Sequence, residues 1–379
     1  MYFRKQELID SQNESLFLWG ARQTGKSTLL KTLFPDALWF DLLLSDVYER
    51  LLRNPSLLRE TIAAGQYKVM IIDEVQRIPE LLNEVHWIIT HMPVRVIMSG
   101  SSPRKIIRSN TNLLGGRALR YELYPFTSEE IPNFDLLKAL NNGLLPRHYL
   151  SSSPKKMISA YVGNYLRDEI AGEAKIRNVA NFSRFLESAA FSNGEMVNYA
   201  NIASDCGVSA VTVKEYFQIL EDTLVGRFLP SYQKKPKRRV ITAPKFYFFD
   251  IGIVNYLLKR GRIDFGSELF GNAFEHFIYN ELNAHSSYSG KDYPIYYWRT
   301  ASQIEIDFVL GNHDVAIEVK ATSNVQSRHL KGLKSFSEEY AVTQLVLVCN
   351  EPLPRISEGV RILPWKVFLE ELWAGKIIK

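Results

Sequence analysis

Two groups of residues in this chain have the types and spacing to do chemistry. The first is Gly20-Ala21-Arg22-Gln23-Thr24-Gly25-Lys26-Ser27, with Thr28 next. Glycines at these positions let the main chain wrap a phosphate, and the N–H groups of a following helix stabilise its charge. In this pattern the lysine reaches the β- and γ-phosphates and the serine hydroxyl binds Mg²⁺. The apolar run Leu16-Phe17-Leu18-Trp19 precedes the loop, and Thr28-Leu29-Leu30-Lys31-Thr32-Leu33 follows it. That predicts the strand–loop–helix setting the pattern requires. Asp73 and Glu74 end a second apolar run, Lys68-Val69-Met70-Ile71-Ile72. From a strand tip, Asp73 would hold Mg²⁺ through water beside Ser27, and Glu74 would orient or deprotonate the attacking water. The ligands implied are ATP and Mg²⁺.

The second group is Asp307, Glu318 and Lys320, with Glu275 upstream. Tyr296 to Leu310 and Val315 to Lys320 read as two strands joined by the turn Gly311-Asn312-His313-Asp314. Residues i and i+2 of a strand share a face, so Glu318 and Lys320 point the same way. A hairpin brings Asp307 alongside, and Glu275, in the helical pattern Asn272 to Leu282, adds a third carboxylate. Asp307 and Glu318 would bind Mg²⁺, an oxygen-seeking ion. Lys320 would position water or stabilise charge on a scissile phosphodiester. Glu-x-Lys on a strand also arises as an ordinary surface ion pair.

The elements that must position the first group are short apolar strands. Ala37 to Asp41 lies before Asp73, and Val94 to Met98 lies after it, running into Ser99-Gly100-Ser101-Ser102. In a doubly wound sheet ligands collect at strand C-termini, so Ser101 is a candidate sensor of the γ-phosphate, or part of a plain polar turn. Arg117 precedes the strand Ala118 to Leu123. It would stabilise transition-state charge in cis or on a neighbouring subunit, or serve as a surface or ion-pair arginine.

The middle of the chain reads differently. Tyr161 to Glu169 and Asn181 to Ala190 have apolar residues at helical spacing. A short helix ends at Gly207, and Ser209 can cap a second helix, Ala210 to Asp222. A turn this short, containing glycine, matches a helix-turn-helix. Strands at Val225 to Leu229 and Lys245 to Phe249 flank the basic loop Lys234-Lys235-Pro236-Lys237-Arg238-Arg239. Together they predict a winged helix. Thr212 and Lys214 would face a DNA groove, with Lys234, Lys235, Lys237, Arg238 and Arg239 on phosphates in a salt-sensitive contact. The same module is also used for packing or subunit contacts. The second helix is poor in Arg and Asn, which argues against reading of sequence.

Composition bounds these readings. The chain has 379 residues, 46% hydrophobic and 23% charged, enough for two or three domains. Net charge is +5, which permits nucleic-acid binding without demanding it. No apolar run is long enough to cross a bilayer. The first residues, Met1 to Leu8, have no apolar signal core. Two cysteines, Cys206 and Cys349, make neither a disulfide framework nor a zinc site. A cytoplasmic protein without membrane association is expected.

Residues 1–128 resemble the prokaryotic AAA-type ATPases. The likeness rests on Gly20 to Ser27, Ile71-Ile72-Asp73-Glu74-Val75-Gln76, Ser99 to Ser102, and Gly116-Arg117 followed by Leu123-Tyr124-Pro125-Phe126. It implies a parallel α/β sheet of five strands and a homo-oligomer with ATP near subunit boundaries. Residues 266–379 resemble the restriction-endonuclease-like PD-(D/E)xK fold, with Ile306 where that motif has proline. Residues 129–265 form the helical and winged-helix region between. The whole resembles a group of bacterial and archaeal proteins in which such an ATPase precedes a domain of unknown function. Tyr161 to Glu169, Lys245 to Gly252 and Glu318-Val319-Lys320 carry that likeness. The expectation is a Mg²⁺-dependent ATP hydrolase acting on DNA, with a nuclease-like site. The alternative is a nucleotide switch that recognises a protein or signal, with the C-terminal modules as scaffold.

Overall fold

A computed structural model of the chain describes residues 2–8, 14–108, 114–173, 176, 178–234 and 239–379. It divides into two compact units. One comprises Arg4–Pro125 and Ile219–Val225; the other comprises Met1–Phe3, Phe126–Gln218 and Gly226–Lys379. Among the described residues no helix is long and apolar enough to cross a membrane.

The first unit is built on parallel strands β1 (Ser15–Trp19), β2 (Leu38–Asp41), β3 (Val69–Asp73), β4 (Arg95–Gly100) and β5 (Ala118–Glu122). Their order is β2-β3-β4-β1-β5. All of β1 and β4 is buried. A strand covered on both faces needs no polar alternation, so the central strands read as unbroken apolar runs. Phe17, Met70, Ile72, Val96 and Met98 form one core with Leu81, Val85 and Ile88 of the helix Leu81–His91. The register pairs Trp19 with Gly100 and Ile72 with Met98. The C-terminal ends of β1, β3 and β4 therefore gather, and Gly20, Asp73 and Ser101 leave the sheet together. Ser102 Oγ donates to Asp222 O at 3.2 Å and Arg104 pairs with the Asp222 carboxylate, which ties Ile219–Val225 to the exit of β4.

The second unit begins with helices. Tyr161–Glu169, expected as plain α-helix, is wound as a π-helix after the helix Pro154–Ala160. Sequence spacing does not separate the two, since both leave an apolar face on one side. Asn198 accepts from the N–H groups of Ala200 and Asn201 and starts the helix Tyr199–Cys206. Gly207 ends it at φ 65°, a left-handed position that suits glycine. Ser209 Oγ then accepts from Thr212 N at 3.1 Å at the start of the helix Ala210–Asp222. β6 (Gly226–Leu229) and β7 (Lys245–Phe248) pair antiparallel.

The remaining strands are β8 (Ile295–Arg299), β9 (Glu305–Leu310), β10 (Val315–Val319), β11 (Gln344–Cys349), β12 (Arg355–Ser357) and β13 (Val360–Pro364). They form one mixed sheet in the order β12-β13-β11-β10-β9-β8. The single strand expected from Tyr296 to Leu310 is two. Thr300 Oγ1 accepts from Ile304 N at 3.1 Å, and Gln303 sits at φ 65°, so the chain turns back there. The β9–β10 hairpin is as expected, with Leu310 opposite Val315. Trp298, Ile306, Val309, Ala316, Leu333, Phe336 and Leu347 pack one face of this sheet. The helix Glu268–Tyr288 contains Glu275 and buries Phe270, Phe274, Phe277 and Ile278.

Candidate active sites

The loop after β1 has the backbone a phosphate cradle needs. Gly25 lies at φ +98°, immediately before the helix Lys26–Leu33. A Cβ on Gly20 would stand 2.5 Å from Leu123 O, so only glycine lets β1 turn this close to the end of β5. Thr24 Oγ1 donates to Ala21 O at 2.9 Å and closes the loop on itself. Lys26 is buried, and its Nζ donates to Gly20 O at 2.7 Å and Ala21 O at 3.2 Å. Burial lowers its pKa, and the charges of Glu74 and Asp73 oppose that shift. Arg22, Gln23 and Thr28 flank this cradle, Gln23 and Thr28 being exposed.

The metal-binding pair of the sequence reading meets in space. Ser27 Oγ donates to Asp73 Oδ2 at 2.6 Å, and Ser99 Oγ donates to Asp73 Oδ1. Glu74 is in left-handed backbone conformation at φ 59° and buried. Ser101 Oγ donates to Glu74 Oε2 at 3.1 Å and accepts from Gln76 Nε2 at 3.0 Å. Gln76 Nε2 also donates to Glu74 Oε2, and its buried Oε1 has no donor. Glu74, Gln76 and Ser101 thus form one network beside Ser27 and Asp73. A hydroxyl, a carboxylate pair, an ammonium and free helix-start N–H groups fit a Mg²⁺-bound nucleoside triphosphate. Arg117 is not part of this group; it is exposed and bonds His86 Nε2 at 2.9 Å.

Sequence reasoning gave Gln76 and Ser99 no role at this site. It also missed Arg4, whose Nη1 donates to Thr24 O at 2.6 Å and Nη2 to Tyr124 O at 2.6 Å. Gln76 carried a signal, an amide two positions past Glu74 among apolar residues. Arg4 carried none.

In the second unit, Glu275, Asp307, Glu318 and Lys320 come together. Asp307 and Glu318 are buried. Asp307 Oδ2 accepts from Val319 N at 2.7 Å, and Lys320 Nζ contacts Glu318 Oε1 at 2.6 Å. Glu318 Oε2 is buried without a partner. Burial pushes the Asp307 pKa far up, and the charges of Glu318 and Glu275 push it further. Glu318 is raised by burial as well, against the pull of Lys320.

Further residues complete the cluster. Lys245 is buried and contacts Glu305 at 2.6 Å and Glu275 at 3.5 Å. Tyr247 donates its hydroxyl to Glu275, and Arg299 pairs with Glu305 at 3.0 Å. Burial alone would lower the Lys245 pKa, but Glu275, Glu305 and Asp307 together raise it. The missed signal is one of spacing. Lys245/Tyr247, Glu305/Asp307 and Glu318/Lys320 are three i, i+2 polar pairs, each putting two side chains on one strand face. Among the described residues no three His, Cys, Asp or Glu side chains close into a metal cage. A metal there would rest on Asp307 and Glu318 with water completing its shell.

The candidate nucleic-acid residues are less clustered. Thr212 is engaged by Ser209, and Lys214 lies over the Tyr199 ring at 5.3 Å. Lys235, Lys237 and Arg238 lie outside the described residues. The flanks of their loop are anchored: Tyr232 N donates to Tyr297 O at 2.7 Å and Ile241 N to Arg299 O at 2.9 Å, both on β8. Lys234 Nζ donates to Asn312 Oδ1 at 2.7 Å, and Arg239 O accepts from Ala301 N at 2.9 Å.

Comparison with known families agrees with the nucleotide site. Residues 12–132 match the profile of an AAA domain. Residues 133–264 match a domain of unknown function (DUF8612), and residues 270–368 match another (DUF4143). No curated protein matches the chain. The N-terminal third is thus an AAA-type domain of the nucleotide-hydrolysing kind, followed by two domains to which no function is attached.

Proposed function

We propose that the protein is a Mg²⁺-dependent ATP hydrolase whose turnover drives binding or remodelling of DNA. The observation that carries the ATPase reading is the 2.6 Å hydrogen bond from Ser27 to Asp73 beside the buried Lys26 ammonium. Lys26 and Ser27 begin the helix after β1, Asp73 ends β3, and the three meet where a γ-phosphate and its metal would sit. Glu74, held by Ser101 and Gln76, is the base or orienter of the attacking water. Mg²⁺, bound through Ser27 and Asp73, would supply charge neutralisation on the phosphates. Exposed Arg117 suits a role on a neighbouring copy of a homo-oligomer.

DNA is supported by the helix-turn-helix at Tyr199–Cys206 and Ala210–Asp222 and by the cations from Lys234 to Arg239. ATP can change the DNA-bound state only by favouring one conformation over another. The bolder extension is metal-dependent cleavage by Asp307, Glu318 and Lys320 with Glu275. One observation favours the alternative of a nucleotide switch with a scaffold C-terminus: Glu275, Glu305 and Glu318 are already paired with Lys245, Lys320, Arg299 and Tyr247.

The test is steady-state ATP turnover with and without single-stranded, duplex and branched DNA. Lys26→Ala is expected to abolish nucleotide binding, and Glu74→Gln to keep binding and stall hydrolysis. Unchanged turnover in the Glu74 variant removes it from the mechanism. Turnover indifferent to every DNA form favours the switch.

A further inference from the structure

The second unit contains a cavity of about 990 Å³ that neither candidate site uses. Six lysines and arginines line it against two carboxylates. Three of those cations are committed elsewhere. Arg167 pairs with Glu187 at 3.3 Å, Arg262 with Asp264 at 3.1 Å, and Lys138 lies over the Tyr149 ring at 4.4 Å. Lys155, Lys259 and Arg260 have no carboxylate partner among the described residues.

Arg260 is the informative one. It is only partly exposed, and burial lowers its pKa. Its charge reaches the fully buried His276, whose own pKa is pushed down to about 4, mainly by burial. A half-buried guanidinium with no carboxylate partner among the described residues is costly unless an anion completes it. The backbone presents it deliberately. Lys259 lies at φ +51°, where a lysine is disfavoured, and Arg260 N returns to Asn255 O at 2.9 Å, folding the end of the helix Ile251–Leu257 over the cavity. Asn255 supplies an independent sign. It is 8% exposed and lines the cavity; its Nδ2 is fixed on Leu140 O at 2.8 Å, and its buried Oδ1 has no donor. Leu137, Ile158 and Leu257 give the same cavity apolar wall.

We propose that this cavity binds a small organic phosphate, a phosphate monoester on Lys155, Lys259 and Arg260 with a hydrogen-bond-donating body against Asn255. The volume is far larger than an inorganic ion needs and lies within the range of small-molecule pockets. A nucleoside monophosphate and a sugar phosphate share the required chemistry.

The experiment is calorimetric titration of the full chain carrying Lys26→Ala, which removes the β1 loop as a competing site. AMP, GMP, CMP, UMP, ribose 5-phosphate and inorganic phosphate are titrated separately. We expect at least one organic phosphate to bind about tenfold or more tightly than inorganic phosphate, and nucleoside against sugar phosphates to tell which body is preferred. Adding Arg260→Ala is expected to weaken it by about tenfold, as for loss of a charged hydrogen bond. Lys259→Gly, which suits the left-handed turn and keeps the fold, is expected to weaken it as well. Organic phosphates binding no better than inorganic phosphate overturn the proposal. So does binding unmoved by both substitutions. The readout depends on Arg260 and not on ATP turnover, so it fails or stands apart from the ATPase reading.

Discussion

Asp307→Asn is expected to stabilise the second unit above neutral pH while removing any chemistry that depends on the carboxylate. Asp307 is fully enclosed, and its pKa is raised, by burial first and by Glu318 and Glu275 next. A raised carboxylate pKa means that the native state holds a proton the unfolded chain has released. Stability then falls as pH rises from the unfolded value, about 3.9, through the raised native value, the reverse of an ordinary paired aspartate. Two carboxylates repel Asp307 and two ammoniums, Lys320 and Lys245, attract it. Unit charges about 5 Å apart interact by about 3 kcal/mol at an effective dielectric near 20, so these four contributions nearly cancel. Desolvation, worth several kcal/mol, decides the balance. Against it stands the bond from Val319 N at 2.7 Å. Asparagine keeps that acceptor but brings an extra N–H donor into the buried space, at a cost of about 1–2 kcal/mol. The net expectation is a gain of about 1–3 kcal/mol at pH 8 that shrinks towards pH 5. Urea unfolding of the full chain at both pH values, followed by probes in the second unit, measures it. A variant less stable than the parent at pH 8, or a difference independent of pH, refutes the reasoning.

Two further outcomes are expected. Gln76→Ala should lower kcat for ATP by about tenfold with KM nearly unchanged, because Gln76 fixes Glu74 and Ser101 without being part of the phosphate cradle; equal loss in nucleotide affinity would place it among the binding groups instead. Replacing Lys234 and Arg239 by Gln should weaken DNA binding and reduce the salt slope by up to about two, as for two phosphate contacts; filter binding across salt concentrations reads this, and an unchanged slope removes the pair from the interface.

The nucleotide site was largely legible in the sequence because most of its parts are contiguous. Gly20 to Ser27 is a single loop, and Asp73-Glu74 announces itself as charge at the end of an apolar run. The network that holds Glu74 was only partly legible: Ser101 could be placed near the phosphates, but its meeting with Glu74 and Gln76 has meaning only once β3 and β4 are known to be neighbours. The second cluster shows the same limit more sharply. Asp307, Glu318 and Lys320 could be grouped from one hairpin. Lys245 and Tyr247 lie on β7, far away in the chain, and their i, i+2 spacing has meaning only when that strand is seen to face Glu275 and Glu305. The turn at Thr300 was hidden because its stop signal is side-chain hydrogen bonding and not glycine or proline.

The cluster in the second unit also bears on why such a group is kept. Glu195, Glu275, Glu305, Asp307 and Glu318 are electrically coupled to Lys245, Lys320 and Arg299, so five carboxyl groups stand against three cations. A scaffold gains little from that arrangement, because well-packed apolar residues of similar volume serve as well or better. Nor does simple pairing explain it, since pairing would leave equal numbers of each sign. The raised Asp307 pKa follows from burial first and from the charges of Glu318 and Glu275 next, so a proton and a divalent cation would be alternatives there. Proton and cation would then compete for the same oxygens, including the unpartnered Oε2 of Glu318. The pairing of Glu275, Glu305 and Glu318 suits a scaffold, whereas the burial of Asp307 and the unpartnered Oε2 of Glu318 do not, and the stability gained by Asp307→Asn measures the folding free energy that keeping this carboxylate costs.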